Sequence, residues 1–377
     1  MIKLSGRKYI FSHLQKPVAR CGPRKMIDLS DRHETSNMDG IILMKIFNLP
    51  LVHYIHFSEI EEKRPLTVVT SGPAWDAVKE RLPFKAISVI DVHLATTEHW
   101  DNFSDRVMGE VIYAIGGGLP ADAAKYLALK KDFPLVVIPT ALSVDAHFTA
   151  ASGVRRDGCV YYIDTKAAGD LIIDLDVIAG APPSIRAAGI CDVLSIATGN
   201  WDWKFAESQG KNNDATRLVP YISKIADNIL DGMLDCAEAA GRGDPAGLKQ
   251  LADTIALEVQ LTYQVGHARP EEGSEHYFAY AVENHVGPGK LHASLVCPGV
   301  LIFATLQGQD ISRYKKACID CQIPLNTITE ATIRKTMGEL PAFCEKHNLH
   351  FAIANRITPQ MIDSINYSFV FDQDARW

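Results

Sequence analysis

Hydrophobic and polar positions divide the chain into two halves with different rhythms. In the first half, short runs of aliphatic and β-branched residues recur at 49–55, 66–70, 86–91, 111–115, 134–138 and 171–175. Several are apolar along most of their length instead of alternating, which predicts strands buried on both faces. Between the second and third runs, Ser71-Gly72-Pro73 opens a predicted helix that closes near Leu82-Pro83. Strands separated by helical stretches predict a parallel sheet with crossover helices. One segment breaks the rule. From Val154 to Tyr162 two short runs flank Asp157-Gly158, the dipeptide that suits a two-residue hairpin turn.

At Ala181-Pro182-Pro183 the pattern changes, and from Ser184 helical periodicity replaces strand-type runs. Asp244 followed by Pro245 predicts a helix N-cap with proline in the first turn. Leu248, Leu251, Ile255 and Val259 then form a one-sided apolar stripe, read as core packing. The expected architecture is an α/β domain with a parallel Rossmann-like sheet over 1–183 and an all-α domain over 184–377. Residues 1–40 are polar and mixed in charge, an extension whose pattern fixes no element.

Composition narrows the function classes. The 377 residues carry a formal net charge of −7 and a pI near 6.0, which argues against a nucleic-acid partner. No apolar run reaches the ~18 residues that span a membrane, and the basic N-terminus lacks the apolar core of a signal peptide. Eight cysteines follow no disulfide-framework spacing, which fits the reducing cytoplasm. Cys318 and Cys321 form a lone C-x-x-C without the second pair of a zinc knuckle, and read as packing cysteines. A soluble, cytoplasmic homo-oligomer acting on a small molecule is expected.

Two places carry candidate chemistry. The first is Gly116-Gly117-Gly118, which follows the apolar run 111–115 and opens a helical pattern. Glycines let backbone N–H groups approach a ligand, and a helix N-terminus favours a phosphate. A plain tight turn is the competing reading, since the spacing differs from the G-x-G-x-x-G fingerprint. Asp91, at the end of its run, is either an acid near an adenosine ribose or a solvated strand-end acid. The second place is scattered: Asp192, His276 and His292 lie on apolar, helix-like stretches of the second half. One carboxylate and two imidazoles suit zinc or another borderline divalent ion with a coordination position left open. Taken singly, a helical histidine is more often a hydrogen-bonded core residue and a lone aspartate more often a cap.

These residues together match a family. Gly116-Gly117-Gly118-x-x-x-Asp122-x-x-Lys125 with Pro139-Thr140-x-x-Ser143-x-Asp145 resembles the iron-containing alcohol dehydrogenase and dehydroquinate synthase superfamily. Within it, Ala188-Gly189-x-x-Asp192, Asp202-Trp203 and Arg269-Pro270-x-x-Gly273-Ser274-Glu275-His276 look most like glycerol-1-phosphate dehydrogenases. The likeness covers about residues 50–310. It implies that Gly116, Gly117 and Gly118 hold the pyrophosphate of NAD(P), with Asp122 supporting that loop. Thr140 and Ser143 would lie along the cofactor near the nicotinamide, and Asp145 would hydrogen-bond a substrate hydroxyl. Asp192, His276 and His292 would bind the metal, zinc in the nearest relatives.

The activity implied is NAD(P)H-dependent reduction of a small phosphorylated ketone, dihydroxyacetone phosphate to sn-glycerol 1-phosphate. A lyase resembling dehydroquinate synthase, using NAD transiently, is the alternative. Arg155, Arg156 and Lys166 are its candidate phosphate ligands, although Ala151-Ser152-Gly153-Val154 stands where the synthases carry Gly-Gly-Lys. A non-enzymatic binding protein on the same fold is the third reading. It is motivated by Ala293-Ser294, where the family usually follows its last histidine with Gly-Glu.

Overall fold

The computed structural model describes residues 49–371, so the extension at 1–40 lies outside the described residues. Six strands form one parallel sheet: β1 (Leu51–Tyr54), β2 (Leu66–Thr70), β3 (Ser88–Asp91), β4 (Val111–Gly116), β5 (Leu135–Pro139) and β8 (Asp170–Ile173). Their spatial order is β1-β8-β5-β4-β2-β3. All residues of β2, β4 and β5 are buried, as their unbroken apolar character requires. The helices α1 (Gly72–Val78), α2 (Thr97–Asp101) and α3 (Gly118–Lys131) fall between these strands.

Register fixes where a ligand can lie. Thr70 pairs with Asp91 and with Ile115, and Gly116 pairs with Pro139, so the carboxyl ends of β2, β3, β4 and β5 come level along one edge of the sheet. In open parallel sheets that edge is where crevices form.

The remaining strands, β6 (Ala151–Arg156) and β7 (Cys159–Asp164), make a separate antiparallel hairpin. Asp157 (φ 54°) and Gly158 (φ 79°) both occupy the left-handed region that a type I′ turn needs. The run at 171–175 ends earlier as a strand than its apolar pattern suggests. Asp174 leaves β8 to cap α4 (Leu175–Ala179), accepting from the backbone N–H of Asp176 and Val177.

From there the chain is helical. It passes through α5 (Pro183–Arg186), α6 (Ile190–Leu194), α7 (Ile196–Ser208), α8 (Pro220–Arg242), α9 (Pro245–Val265), α10 (Ser274–Val286) and α11 (Ala293–Leu306). Four further helices close it: α12 (Ser312–Asp320), α13 (Glu330–Lys346), α14 (Pro359–Ser364) and α15 (Ser368–Phe371). Gly243 at φ 82° reverses α8 into α9, and the Asp244 carboxylate caps α9 at Ala246 and Gly247. Leu248, Leu251, Ile255 and Val259 are all buried, as are Cys318 and Cys321. Among the described residues no helix is long and apolar enough to cross a membrane. The larger apolar cluster runs from the sheet into the helices without a break, and the site lies where the two meet.

Candidate active site

The glycine turn is built by geometry that admits no side chain. Gly116 closes β4 at φ 137°, Gly117 caps α3 without a side chain to offer, and Gly118 is its first residue. A Cβ on Gly118 would stand 2.9 Å from Val144 Cγ2, and one on Gly117 would stand 3.2 Å from Ser143 Oγ. With no side-chain cap, the first amides of α3 are left for an anion at the positive end of the helix. A nucleotide pyrophosphate fits this cradle.

The turn is held from behind. Asp122 accepts from Gly153 N at 3.2 Å and pairs with Lys125 at 2.9 Å. Lys125 in turn donates to the carbonyls of Ala146 and Ala151 and to Thr149 Oγ1. The pair therefore staples α3 to the loop after β5. That loop carries Thr140, whose N–H reaches Gly116 O at 3.4 Å, and Ser143 beside Gly117. Asp91 stands at the same edge of the sheet, at the end of β3, and accepts from Gly72 N at 2.9 Å.

Two of the three scattered ligand candidates, Asp192 and His292, meet at metal-ligand spacing, with Cys191 as the third residue at that spacing, and His276 stands beside them. Asp192, on α6, and His276, on α10, are both buried. His292 is the N-cap residue of α11 instead of part of its body. Its Nε2 lies 3.4 Å from Asp192 Oδ1, and its ring centre lies 5.4 Å from that of His276. Two ligands bound to one tetrahedral ion at about 2.1 Å stand about 3.4 Å apart. The donor set and the Asp192–His292 spacing fit a divalent cation. Burial opposes the charge on Asp192, but the hydrogen bond and charge of His292, with that of His276, hold its carboxyl below the usual range.

Asp145 joins the two parts of the site. Its backbone N–H donates to Asp192 Oδ2 at 2.8 Å, so the loop beside the glycine turn is tied directly to the metal-type carboxylate. Gly189 N donates to Leu142 O at 2.7 Å and reinforces the junction. Burial, and then the charge of Asp192, push the Asp145 carboxyl up to about 7.

Glu275 is a residue the sequence contained without disclosing its work. Fully buried, it contacts His276 Nδ1 at 3.0 Å through Oε1, which also accepts from Gly273 N at 2.6 Å. Its other oxygen accepts from Thr198 at 2.6 Å. A carboxylate on Nδ1–H leaves Nε2 for a cation and fixes the ring. Burial disfavours the imidazolium, yet the Glu275 hydrogen bond and the charges of Glu272, Glu275 and Asp192 lift His276 to about 9. Ala293-Ser294 supplies no such acid, and Ser294 Oγ merely donates to Leu291 O at 2.7 Å. Glu275→Gln is expected to weaken metal affinity about 10- to 100-fold, read by competition with a chromophoric chelator. Unchanged affinity would remove Glu275 from that role.

Glu258, Glu271, Glu272 and Cys191 also surround the triad and carried no motif. Cys191 donates to Asp192 Oδ1 at 3.1 Å, and Tyr280 OH donates to Glu272 at 3.0 Å.

Known proteins resemble the chain accordingly. Residues 66–182 match the family model described as iron-containing alcohol dehydrogenase. The glycerol-1-phosphate dehydrogenase [NAD(P)+] of Sulfurisphaera tokodaii is 26% identical over 74% of this chain and 83% of its own. That of Methanothrix thermoacetophila is 30% identical over 62% and 66%. Among solved structures, a probable glycerol dehydrogenase from Sinorhizobium meliloti 1021 superposes with a TM-score of 0.61. It is 20% identical, with 87% of this chain and 96% of that one covered, a likeness of fold. The chain belongs to the iron-containing alcohol dehydrogenase family.

Proposed function

We propose that the protein is a metal-dependent NAD(P)H oxidoreductase that reduces a small ketone to its alcohol. The observation that carries this reading is the Asp145–Asp192 link between the glycine turn and the Asp192–His276–His292 triad. The names of the relatives supply the first ketone to try, dihydroxyacetone phosphate, whose product would be sn-glycerol 1-phosphate. The reaction moves a hydride to the carbonyl carbon and a proton to its oxygen, leaving NAD(P)+. When bound, the cation, zinc or another borderline divalent ion, would polarise the carbonyl and the nicotinamide would carry the hydride.

The chain's own residues supply the rest. Gly116, Gly117 and Gly118 seat the pyrophosphate, Asp122 and Lys125 hold that turn, and Thr140 and Ser143 line the path towards the nicotinamide. Asp91 is placed for the adenosine ribose. Asp145, holding a proton to near neutral pH at its buried carboxyl, hydrogen-bonds a substrate hydroxyl. Glu275 orients His276 from behind. We place the boundary between the nucleotide half and the metal half at residue 183, and take a cytoplasmic homo-oligomer as the working assembly.

The candidate phosphate ligands of a cyclase have other partners here. Arg155 pairs with Glu283, Arg156 lies over the Tyr161 ring, and Lys166 pairs with Asp132. The test is oxidation of NADH or NADPH by small free and phosphorylated ketones, with and without a chelator. Ketone-dependent oxidation that the chelator stops and the divalent ion restores is the expected result. Turnover that persists after complete metal removal would overturn the metal-dependent reading.

A further inference from the structure

His147 is a buried histidine whose two ring nitrogens both meet carbonyl oxygens. It stands in the loop after β5, two residues beyond Asp145, and is 2% exposed. Its Nε2 lies 3.2 Å from Gly116 O and its Nδ1 lies 3.1 Å from Val144 O. Carbonyl oxygens only accept, and a neutral imidazole has one N–H. An imidazolium would serve both oxygens, but burial holds the ring down to about 4. Near neutral pH, one proton therefore answers two acceptors. Whichever nitrogen lacks it turns a lone pair towards an oxygen.

Each of the two carbonyls belongs to a peptide whose N–H does separate work. Gly116 C=O shares its peptide with Gly117 N–H, at the cap of α3 in the glycine turn. Val144 C=O shares its peptide with Asp145 N–H, which donates to Asp192 Oδ2 at 2.8 Å. A hydrogen bond to a peptide oxygen polarises the group and makes its N–H a stronger donor. A proton on Nε2 therefore strengthens the amide offered to an anion in the glycine turn. A proton on Nδ1 strengthens the amide that holds the Asp192 carboxylate.

We propose that His147 is a positioning residue whose single proton, carried on Nε2 or on Nδ1, couples a nucleotide in the glycine turn to a cation at Asp192. The proposal rests on the reading of those two sites given above and adds the regulation between them. The sign follows from the hydrogen bonds. An anion on Gly117 N–H makes Gly116 O a better acceptor and draws the proton to Nε2. Val144 O then loses its donor, and Asp145 N–H becomes a weaker donor to Asp192 Oδ2. More of that carboxylate's charge is left for a cation. Linkage makes the effect mutual, so the cation tightens nucleotide binding by the same factor. The ring stays neutral throughout, and only the place of its proton changes.

The test uses the full chain with Zn2+ and NAD(P)+, as wild type, His147→Gln and His147→Asn. The longer glutamine side chain places its amide donor near the position of Nε2, facing Gly116 O. The shorter asparagine places its donor near Nδ1, facing Val144 O. Saturating nucleotide should tighten Zn2+ binding to the wild type about 5-fold, read by competition with a chromophoric chelator. In both variants that coupling should fall below about 2-fold, and His147→Asn should also bind the metal-free nucleotide about 5-fold more weakly than His147→Gln. The 15N shifts of the wild-type His147 ring give a readout that a packing role would not move. On adding nucleotide to the metal-free chain they should show the proton passing from Nδ1 towards Nε2. If a variant fails to fold, these shifts decide. Coupling that survives in both variants, or a proton that stays on one nitrogen, overturns the role of His147 and leaves the oxidoreductase reading standing. A chain that binds no NAD(P)+, or no divalent ion, overturns the oxidoreductase reading and this one with it.

Discussion

Replacing Asp192 with alanine is expected to empty the metal site and lower kcat/KM for ketone reduction by at least about a thousand-fold. A Lewis acid contributes several kcal/mol at a developing alkoxide, and about 4 kcal/mol is a factor of a thousand. The loss should exceed that of a simple ligand deletion, because Asp192 does two jobs. Its Oδ1 faces His292 Nε2 at 3.4 Å, while its Oδ2 accepts from Asp145 N at 2.8 Å. Alanine therefore takes from His292 the carboxylate it faces and frees the loop that carries Asp145. Elemental analysis of the purified variant should find less than a tenth of the wild-type metal content. Adding His292→Ala should cost little more, since groups that act as one unit are not additive. A metal-replete Asp192→Ala variant with near-normal kcat/KM would remove the triad from the chemistry.

What the sequence disclosed and what it withheld have physical reasons. Parallel strands buried on both faces write themselves as unbroken apolar runs, so β2, β4 and β5 stand out, and Asp157-Gly158 marks the hairpin through its backbone preference. Asp174 is the instructive exception. An acid after Ile173 reads equally as a strand end or a cap, and only the N–H groups of Asp176 and Val177 decide it. The metal-type ligands were legible as residue types and through family likeness, while their convergence depends on α6, α10 and the start of α11 meeting in space. Glu275 becomes an orienting acid only when Thr198 and Gly273 hold its carboxylate. His147 is the deepest omission, since its place between Gly116 O and Val144 O exists only once the loop has folded onto the glycine turn. A histidine between Ala146 and Phe148 was the available signal.

The largest effect on stability is expected at Asp202, which holds the turn before His276 to the C-terminal region. It is fully buried, with Oδ2 accepting from Ser274 N at 2.9 Å and Ser274 Oγ at 2.7 Å, and Oδ1 from Ile353 N at 2.9 Å. Ser274 Oγ also accepts from Ala354 N at 3.0 Å, so one carboxyl organises two segments. Alanine would orphan two buried amides at about 1–3 kcal/mol each and leave a void, a loss of about 3–5 kcal/mol. Asparagine keeps one acceptor and should cost about half as much. The pH dependence separates the charge from the geometry. Burial pushes the Asp202 carboxyl from 3.8 up to about 6, against the pull of its hydrogen bonds. Between those values the unfolded chain has lost the proton that the folded chain keeps, so this group's contribution to stability falls as pH rises and levels off above about 6. Across that window the contribution changes by about 3 kcal/mol. Urea unfolding at pH 4.5 and pH 7 should therefore show the gap between wild type and Asp202→Asn narrowing at the higher pH, with Asp202→Ala the least stable of the three at both. A gap that widens instead would mean that the buried carboxyl is ionised in the folded protein throughout, stabilised by its three donors beyond the cost of its burial.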